Sequence, residues 1–294
     1  MTDLPAGGGA MRHRALLLLL VVTWAVSWPA IKVGVSVVPP LWYACLRYLI
    51  AATCLFALLM LRRQLVFPPR SDWPLIAVSG ALQMGTYSAL TSFALTVLPP
   101  GRAAVLAFST PIWVVPLAAW RLRERVSRVG LLGVGVGMLG VLAIAAPSLH
   151  ASGTQIASYA MLIGAAAAWA VTIVFVRSHR FTASAFALAP WQMLLATILL
   201  TLVAIVVEGP PAPMPARGLA SLVYVGPVAT AFAYWAVVET GRHFRASTMS
   251  MALLATPSVG ILISAMTLGE TLDPSLIAGA VLIGSGIRMA TLAP

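Results

Sequence analysis

Two stripes of aromatic and polar side chains recur at a spacing of four residues inside apolar stretches of the chain. They are Trp24, Trp28 and Lys32 in the first stripe, and Gln83, Tyr87 and Thr91, with Ser88 beside them, in the second. Residues at i, i+4 and i+8 share one face of a helix. Rings and hydroxyl groups on such a face can bind a small aromatic solute, and packing between helices is the alternative for both stripes. At the end of the first stripe, Lys32 is expected to reach the lipid headgroups or to attract an anionic group.

Further candidate binding residues lie in other apolar runs. They are Arg47, Thr110, Trp113, Trp169 and Tyr234. An arginine within hydrocarbon is costly and should face the protein interior. There it would hold helix-end carbonyls or grip a substrate carboxylate with two parallel hydrogen bonds.

Pro111 and Pro257 are predicted to lie at the centres of two helices. Each removes a backbone N–H, and the carbonyls of Ala107 and Leu253 should then need other partners. The two prolines are candidate hinges, and a purely shape-giving role is the alternative.

No residue pattern predicts catalysis, a cofactor or a metal site. The four histidines are expected near helix ends or in loops without clustering, and no Ser/His/Asp or Cys/His grouping occurs. Gly135 to Gly140 fits G-x-G-x-x-G but lies inside an apolar run without a preceding strand, which the dinucleotide fingerprint requires. Gly133 and Gly137 there predict close helix packing instead.

The composition is that of a membrane protein. Hydrophobic residues make up 61% of the chain and charged residues 9%, against about 25% charged residues in ordinary soluble domains. The net charge of +11 would suggest nucleic-acid binding in a soluble protein, but the arginines fall between apolar runs. They therefore indicate membrane topology and contact with lipid, and no nucleic-acid partner is expected.

Ten apolar runs are each about long enough to cross a bilayer. They lie near 15–36, 41–61, 74–97, 101–120, 127–146, 155–176, 184–207, 218–239, 247–268 and 274–293. Residues 1–11 are predicted to form a disordered tail. Arg12 and Arg14 resemble the start of a signal peptide, but the following run is long and lacks a cleavage site, so it is interpreted as an uncleaved helix.

The positive charges predict the orientation. With the N-terminus in the cytoplasm, fourteen arginines fall in inner segments, against Lys32, Arg102 and Arg217 in outer ones. This asymmetry places both termini in the cytoplasm.

The second half of the sequence repeats the first. A shift of 146 residues brings Thr110-Pro111 onto Thr256-Pro257 and Glu124 onto Glu270, and a shift of 145 brings Trp24 onto Trp169 and Arg47 onto Gln192. Each unit has five helices, so the second must cross the membrane in the opposite sense. The predicted organisation is a repeat at 12–147, an external linker at 148–154 and a repeat at 155–294, an arrangement typical of secondary transporters.

The stretch from Trp24 to Lys32, then Arg47, then Thr110-Pro111 with Glu124, resembles the EamA-type drug/metabolite transporters over residues 15–292. Within that family the chain is most similar to the bacterial aromatic amino-acid exporters. The resemblance implies an all-α membrane protein of ten helices that moves small organic solutes by alternating access.

The functional prediction is a monomeric carrier of the bacterial inner membrane that exports small metabolites, in particular aromatic or neutral amino acids. Coupling to protons is not expected, because of the seven acidic residues only Glu239 approaches the bilayer, beside Arg242 and His243. The alternatives are a proton-coupled drug or metabolite antiporter, a channel, and an intramembrane lipid-processing enzyme.

Overall fold

The computed structural model describes residues 8–123, 126–146, 153–244 and 246–292, and all regular structure in these ranges is helical. Ten rods follow one another. The first five are α1 (Gly8–Val35), α2 (Pro40–Leu61), α3 (Trp73–Val78, Ser79–Thr86 and Tyr87–Val97), α4 (Pro100–Ala107 and Thr110–Leu122) and α5 (Arg128–Ala145). The second five are α6 (Gly153–Ser178), α7 (Ala185–Val207), α8 (Ala216–Tyr224, Val225–Phe232 and Ala233–His243), α9 (Ala246–Leu268) and α10 (Pro274–Leu292). The predicted all-α fold of ten helices is confirmed.

The predicted tail and the predicted linker fall at the edges of the described ranges. The first helix begins at Gly8, inside the segment predicted as a disordered tail, and Gly153 of the predicted linker already opens α6. Residues 1–7, Glu124 and most of the linker lie outside the described residues.

Among the described residues, seven helices are long and apolar enough to cross a membrane by length and composition: α1, α2, α4, α5, α6, α7 and α8. Within the described residues, the apolar stretches found in α9 and α10 are Ala255–Leu268 and Pro274–Ala290. The remaining helix, α3, carries the polar stripe. Arginines that close α2, α4, α6 and α8 collect at one end of the bundle, here named the basic end: Arg62, Arg121, Arg177 and Arg242.

Helices α2 and α7, which occupy the same place in the two repeats, pack against each other in antiparallel orientation. Leu41 N–H donates to the Glu208 carboxylate at 2.9 Å, Cys45 Sγ lies 3.0 Å from Thr201 Oγ1, and Phe56 packs on Trp191. The numbers rise on one helix as they fall on the other. Equivalent helices that run in opposite directions are what inverted repeats require.

Helices α5 and α10 show the same inversion with a closer approach. A Cβ on Gly133 would lie 2.6 Å from Gly286 O, and one on Gly140 would lie 2.8 Å from Gly279 O. Both backbones therefore touch without intervening side chains, as in small-xxx-small contacts between membrane helices. The predicted close packing of this glycine face is confirmed, and its partner is the equivalent helix of the other repeat.

A π-helical segment interrupts α3 at Ser79–Thr86 and α8 at Val225–Phe232. The two segments have equal length and are displaced by 146 residues (79 to 225, 86 to 232), the spacing of the sequence repeat. Such segments are rare and frequently lie at functional sites. Neither contains a residue pattern that predicts a π-helix from sequence.

We expect Gly133→Ala to destabilise the protein, because the new methyl group would meet backbone atoms of α10 that cannot move independently. Overpacking of this kind costs about 1–3 kcal/mol. Gly135→Ala on the same helix is the matched control, since nothing lies within 4 Å of a Cβ there. Thermal unfolding in detergent measures the difference, and equal midpoints for the two variants would contradict the proposed backbone contact.

Candidate functional site

A cavity of about 890 Å³ lies between the two repeats. Eight of the ten predicted binding residues line it: Trp24, Trp28, Arg47, Gln83, Tyr87, Thr110, Trp169 and Tyr234. They come from six helices, α1, α2, α3, α4, α6 and α8, so the folded bundle brings together residues up to 210 positions apart (24 to 234). Pro111 also lines the cavity.

The structure places Ser88, Trp113 and Pro257 outside the cavity lining. The Ser88 hydroxyl is fully buried, where it lies 2.8 Å from the Tyr48 hydroxyl and joins α3 to α2. The Trp113 indole N–H donates to Ser109 Oγ at 3.3 Å, one turn back on α4. Trp113, which was predicted as a binding residue, therefore does not line this cavity.

Four aromatic rings form a continuous chain through the cavity wall. Ring centroids are 6.4 Å apart for Trp28 and Phe108, 6.4 Å for Phe108 and Trp169, and 5.2 Å for Trp169 and Tyr87. The last two pairs are edge-to-face, which is a favourable geometry for aromatic rings. Trp28 and Trp169 belong to different repeats, so this row of aromatic rings crosses the interface between the repeats.

Arg47 is anchored from the second repeat. Its Nε donates to Thr230 Oγ1 at 2.8 Å, and its guanidinium lies 5.2 Å from the centroid of the Tyr48 ring. Nε is one of five N–H donors on the planar guanidinium. The Nη1 and Nη2 groups carry the other four donors, and Arg47 lines the cavity.

The π-helical segments position this arginine and its repeat equivalent, Gln192. A Cβ on Gly226 would lie 2.7 Å from Ile50 Cγ2 and 3.5 Å from Arg47 O, and one on Gly80 would lie 2.9 Å from Gln192 O. Each π segment thus presses a glycine against the helix that carries the polar residue. The same contact, a glycine of a π-helical segment packed against the neighbouring helix, therefore occurs in both halves of the site.

Sequence reasoning missed several lining residues, among them Ser27, Tyr48, Phe108, Thr172 and Gln192. For Gln192 a signal existed, because it is the repeat equivalent of Arg47. The charged residues of the described lining are Arg47 and Arg177, and that lining contains no carboxylate and no histidine.

The cavity opens at the basic end. Exposed Arg177 and Phe181 lie at its rim there, together with Ser127 at the start of α5. Toward the opposite end the lining residues are buried: Ile31 is 7% exposed and Leu95 is 0% exposed.

Lys32 helps to close that opposite end. Its ammonium group donates to the carbonyls of Leu95 at 2.7 Å, Thr96 at 3.2 Å and Leu98 at 3.3 Å. These are among the last carbonyls of α3, which lack intrahelical partners. The end of α3 thus offers Lys32 three acceptors, a contact that neither expectation for this residue included.

A second closure joins the start of α4 to the loop between α9 and α10. Arg102 contacts the Asp273 carboxylate and donates to Tyr159 OH at 3.3 Å, while Glu270 accepts from Gly101 N–H at 2.8 Å. Burial raises the pKa of Glu270 and outweighs these donors. Burial acts in the same direction on Asp273, but its hydrogen bonds, Ser275 foremost, and Arg102 leave its pKa below the usual range.

The two proline helices differ although their sequences repeat. In α4 the helix breaks at Phe108–Ser109, and the Thr110 hydroxyl donates to Ala107 O at 2.8 Å, which satisfies the carbonyl that Pro111 was expected to expose. In α9 the helix continues through Pro257. The hydroxyl of Thr256, the equivalent of Thr110, is fully buried without a hydrogen-bond partner among the described residues.

The expectation that the histidines stay apart is wrong for one pair. The ring centroids of His13 and His243 lie 3.7 Å apart with the ring planes inclined by 31°, and His243 Nε2 lies 3.3 Å from Glu239 Oε1. Sequence distance concealed the pair, because α1 and α8 meet only in the folded bundle. Glu239 also lies 3.6 Å from Arg242. His150 is outside the described residues.

The chain matches the EamA-like transporter family twice, at residues 14–146 and 156–292. One match lies in each half of the chain. A solved crystal structure is similar over 96% of this chain and 98% of its own, with a TM-score of 0.65 and 22% identity.

Curated relatives span nearly the whole chain. A protein of Streptantibioticus cattleyicolor named a probable terminal-alkyne amino-acid exporter is 30% identical over 93% of this chain and 91% of its own. A protein of Salmonella typhimurium named a probable amino-acid metabolite efflux pump is 28% identical over 92% of each chain. An uncharacterized transporter of Bacillus subtilis is 24% identical over 94% of this chain and 95% of its own.

We expect Asp273→Asn to loosen the closed end, because Arg102 loses its ionised partner. The substitution Thr91→Cys, made in a background without Cys45 and Cys54, reports this change. Thr91 is a buried cavity residue toward the closed end. Modification of the new cysteine by a membrane-impermeant thiol reagent added at the closed end should become several-fold faster. Glu208→Gln is the control, since Glu208 lies at the same end but contacts α2; an equal increase in both variants would contradict the role of the ion pair.

Proposed function

Because this chain belongs to the EamA-like transporter family, we propose that it exports aromatic or neutral amino acids across a bacterial cytoplasmic membrane by alternating access. The chain is a multi-pass membrane transporter and not an enzyme. Two relatives that carry amino-acid export in their names, at 28% and 30% identity, support the amino-acid part of the proposal.

The observation that carries the proposal is the cavity wall itself. A chain of aromatic rings lies beside a guanidinium group, and the described lining has no carboxylate. The rings provide apolar, edge-to-face contacts for an aromatic side chain. Arg47 can hold a substrate carboxylate through parallel N–H donors, as arginine commonly does.

The substrate ammonium group would need oxygen acceptors. Gln83 and Gln192, on α3 and α7, supply amide oxygens to the same cavity. A zwitterion brings its own carboxylate to balance this charge, and Arg47 can pair with that carboxylate. The arrangement therefore favours zwitterions over simple amines, which an anionic side chain would bind better.

The difference between α4 and α9 supports alternating access. In this conformation α4 is broken at Phe108–Ser109, just before Thr110, and α9 is continuous through Thr256. Inverted repeats can exchange their conformations, which would open the cavity at the opposite end. A break in α9 would let the Thr256 hydroxyl donate to a carbonyl as Thr110 does now. The prolines act as hinges in this scheme.

The proposal does not include a proton relay. The described cavity lining holds no acid and no histidine, and Glu239 contacts Arg242 and His243 at the basic end. Solute would then flow down its own gradient, which suffices to relieve an internal excess.

Trp169→Ala should weaken solute transport, because it removes the ring that joins Tyr87 to Phe108. The loss corresponds to about 1–3 kcal/mol of binding, typical of aromatic stacking contacts. Labelled phenylalanine flux into proteoliposomes measures it. Trp120→Ala is the matched control, since Trp120 is 78% exposed and outside the cavity. Normal flux in correctly folded Trp169→Ala protein would remove Trp169 from the binding site.

An imposed pH gradient should not drive uphill accumulation of solute by the purified protein, since no titratable acid lines the described cavity. Net flux in proteoliposomes with and without the gradient tests this, for the wild type and for Glu239→Gln. Accumulation that depends on the gradient and disappears in Glu239→Gln would establish proton coupling through Glu239 and refute this part of the proposal.

A further inference from the structure

Three side chains with metal-binding groups converge at the basic end of the bundle. His13 lies in the first turns of α1, and Glu239 and His243 lie in the last turns of α8. Glu239 and His243 are four residues apart and therefore share a helix face. The candidate ligand atoms of all three residues lie within 4.8 Å of one another.

Two imidazoles and one carboxylate are a donor set suited to Zn²⁺ and other first-row divalent ions. Ligands about 2.0–2.2 Å from a tetrahedral metal lie about 3.4 Å apart. His243 Nε2 and Glu239 Oε1 already have nearly that separation, at 3.3 Å. The ring of His13 lies beside them, with its centroid 3.7 Å from that of His243 and a ring nitrogen within 4.8 Å of their ligand atoms.

The neighbouring arginine does not obstruct the site. Arg242 approaches the other carboxylate oxygen, Oε2, at 3.6 Å, and its side chain is 62% exposed. Exposed ion pairs of this length contribute little stability. Oε1 stays on the side that faces His243, where a metal ion would bind.

We infer that His13, Glu239 and His243 form a binding site for an imidazole-preferring divalent cation, of which Zn²⁺ is the probe. The site joins the first helix of one repeat to the third helix of the other. The same two helices contribute Trp24, Tyr234 and Val237 to the cavity wall. A bound ion would therefore hold both helices in the conformation open at the basic end and slow transport, an effect that rests on the proposed function.

Binding is tested on the full-length protein in detergent, after removal of any histidine tag, by competition with a chromophoric zinc chelator. The wild type should bind one equivalent of Zn²⁺, and His13→Ala and His243→Ala should each lose it. His179→Ala is the matched control: His179 also lies at the basic end but contacts Ser178 and Phe175. Unchanged stoichiometry in folded His13→Ala protein, or no binding by the wild type, would overturn the site.

The effect on transport is tested in the same proteoliposomes with and without Zn²⁺. Flux of the wild type should fall several-fold and recover on addition of a chelator, whereas flux of His13→Ala should be insensitive to the ion. Binding without inhibition would overturn the locking effect. Flux measured before metal is added reports the proposed function by itself, so its failure is distinguishable from failure of the metal site.

Discussion

The contact on which the rest of the structure depends is the direct backbone packing of α5 against α10. In lipid no hydrophobic force drives two helices together, so close approach of small residues must supply the attraction. Gly133 meets Gly286 and Gly140 meets Gly279, with the helices antiparallel. Because these helices are equivalent members of the two repeats, their contact fixes the inverted relation between the halves. The cavity lies between the halves related in this way.

The two repeats are equivalent in sequence but differ in conformation. The π segments of α3 and α8 have the same register and press Gly80 and Gly226 against equivalent helices. The proline helices, by contrast, differ: α4 is broken and α9 is continuous. Equivalent parts in unequal conformations leave the cavity open at the basic end, while Lys32 and Arg102 join helices at the opposite end. A carrier built from inverted repeats requires this combination.

Much of the fold could be predicted from the sequence, because the positions of apolar runs, prolines and arginines follow directly from the constraints of a bilayer. The aromatic members of the site were also accessible, since Trp24 and Trp169 occupy equivalent places in the repeat. Features that depend on distant partners were not. Lys32 finds the end of α3, and His13 finds His243, only after the helices pack. The π segments escaped because their residues carry no local signal for that geometry.

The central claim is that one cavity is exposed to one side of the membrane at a time. Counterflow tests it most directly: vesicles containing the pure protein are loaded with excess unlabelled phenylalanine and diluted into a trace of labelled phenylalanine. For a carrier of this kind we predict a transient accumulation of label inside the vesicles, above its external concentration. Each unlabelled molecule that is carried out leaves a binding site facing outward, and that site returns to the inside carrying label. Monotonic equilibration without an overshoot, as in a channel, would contradict the account.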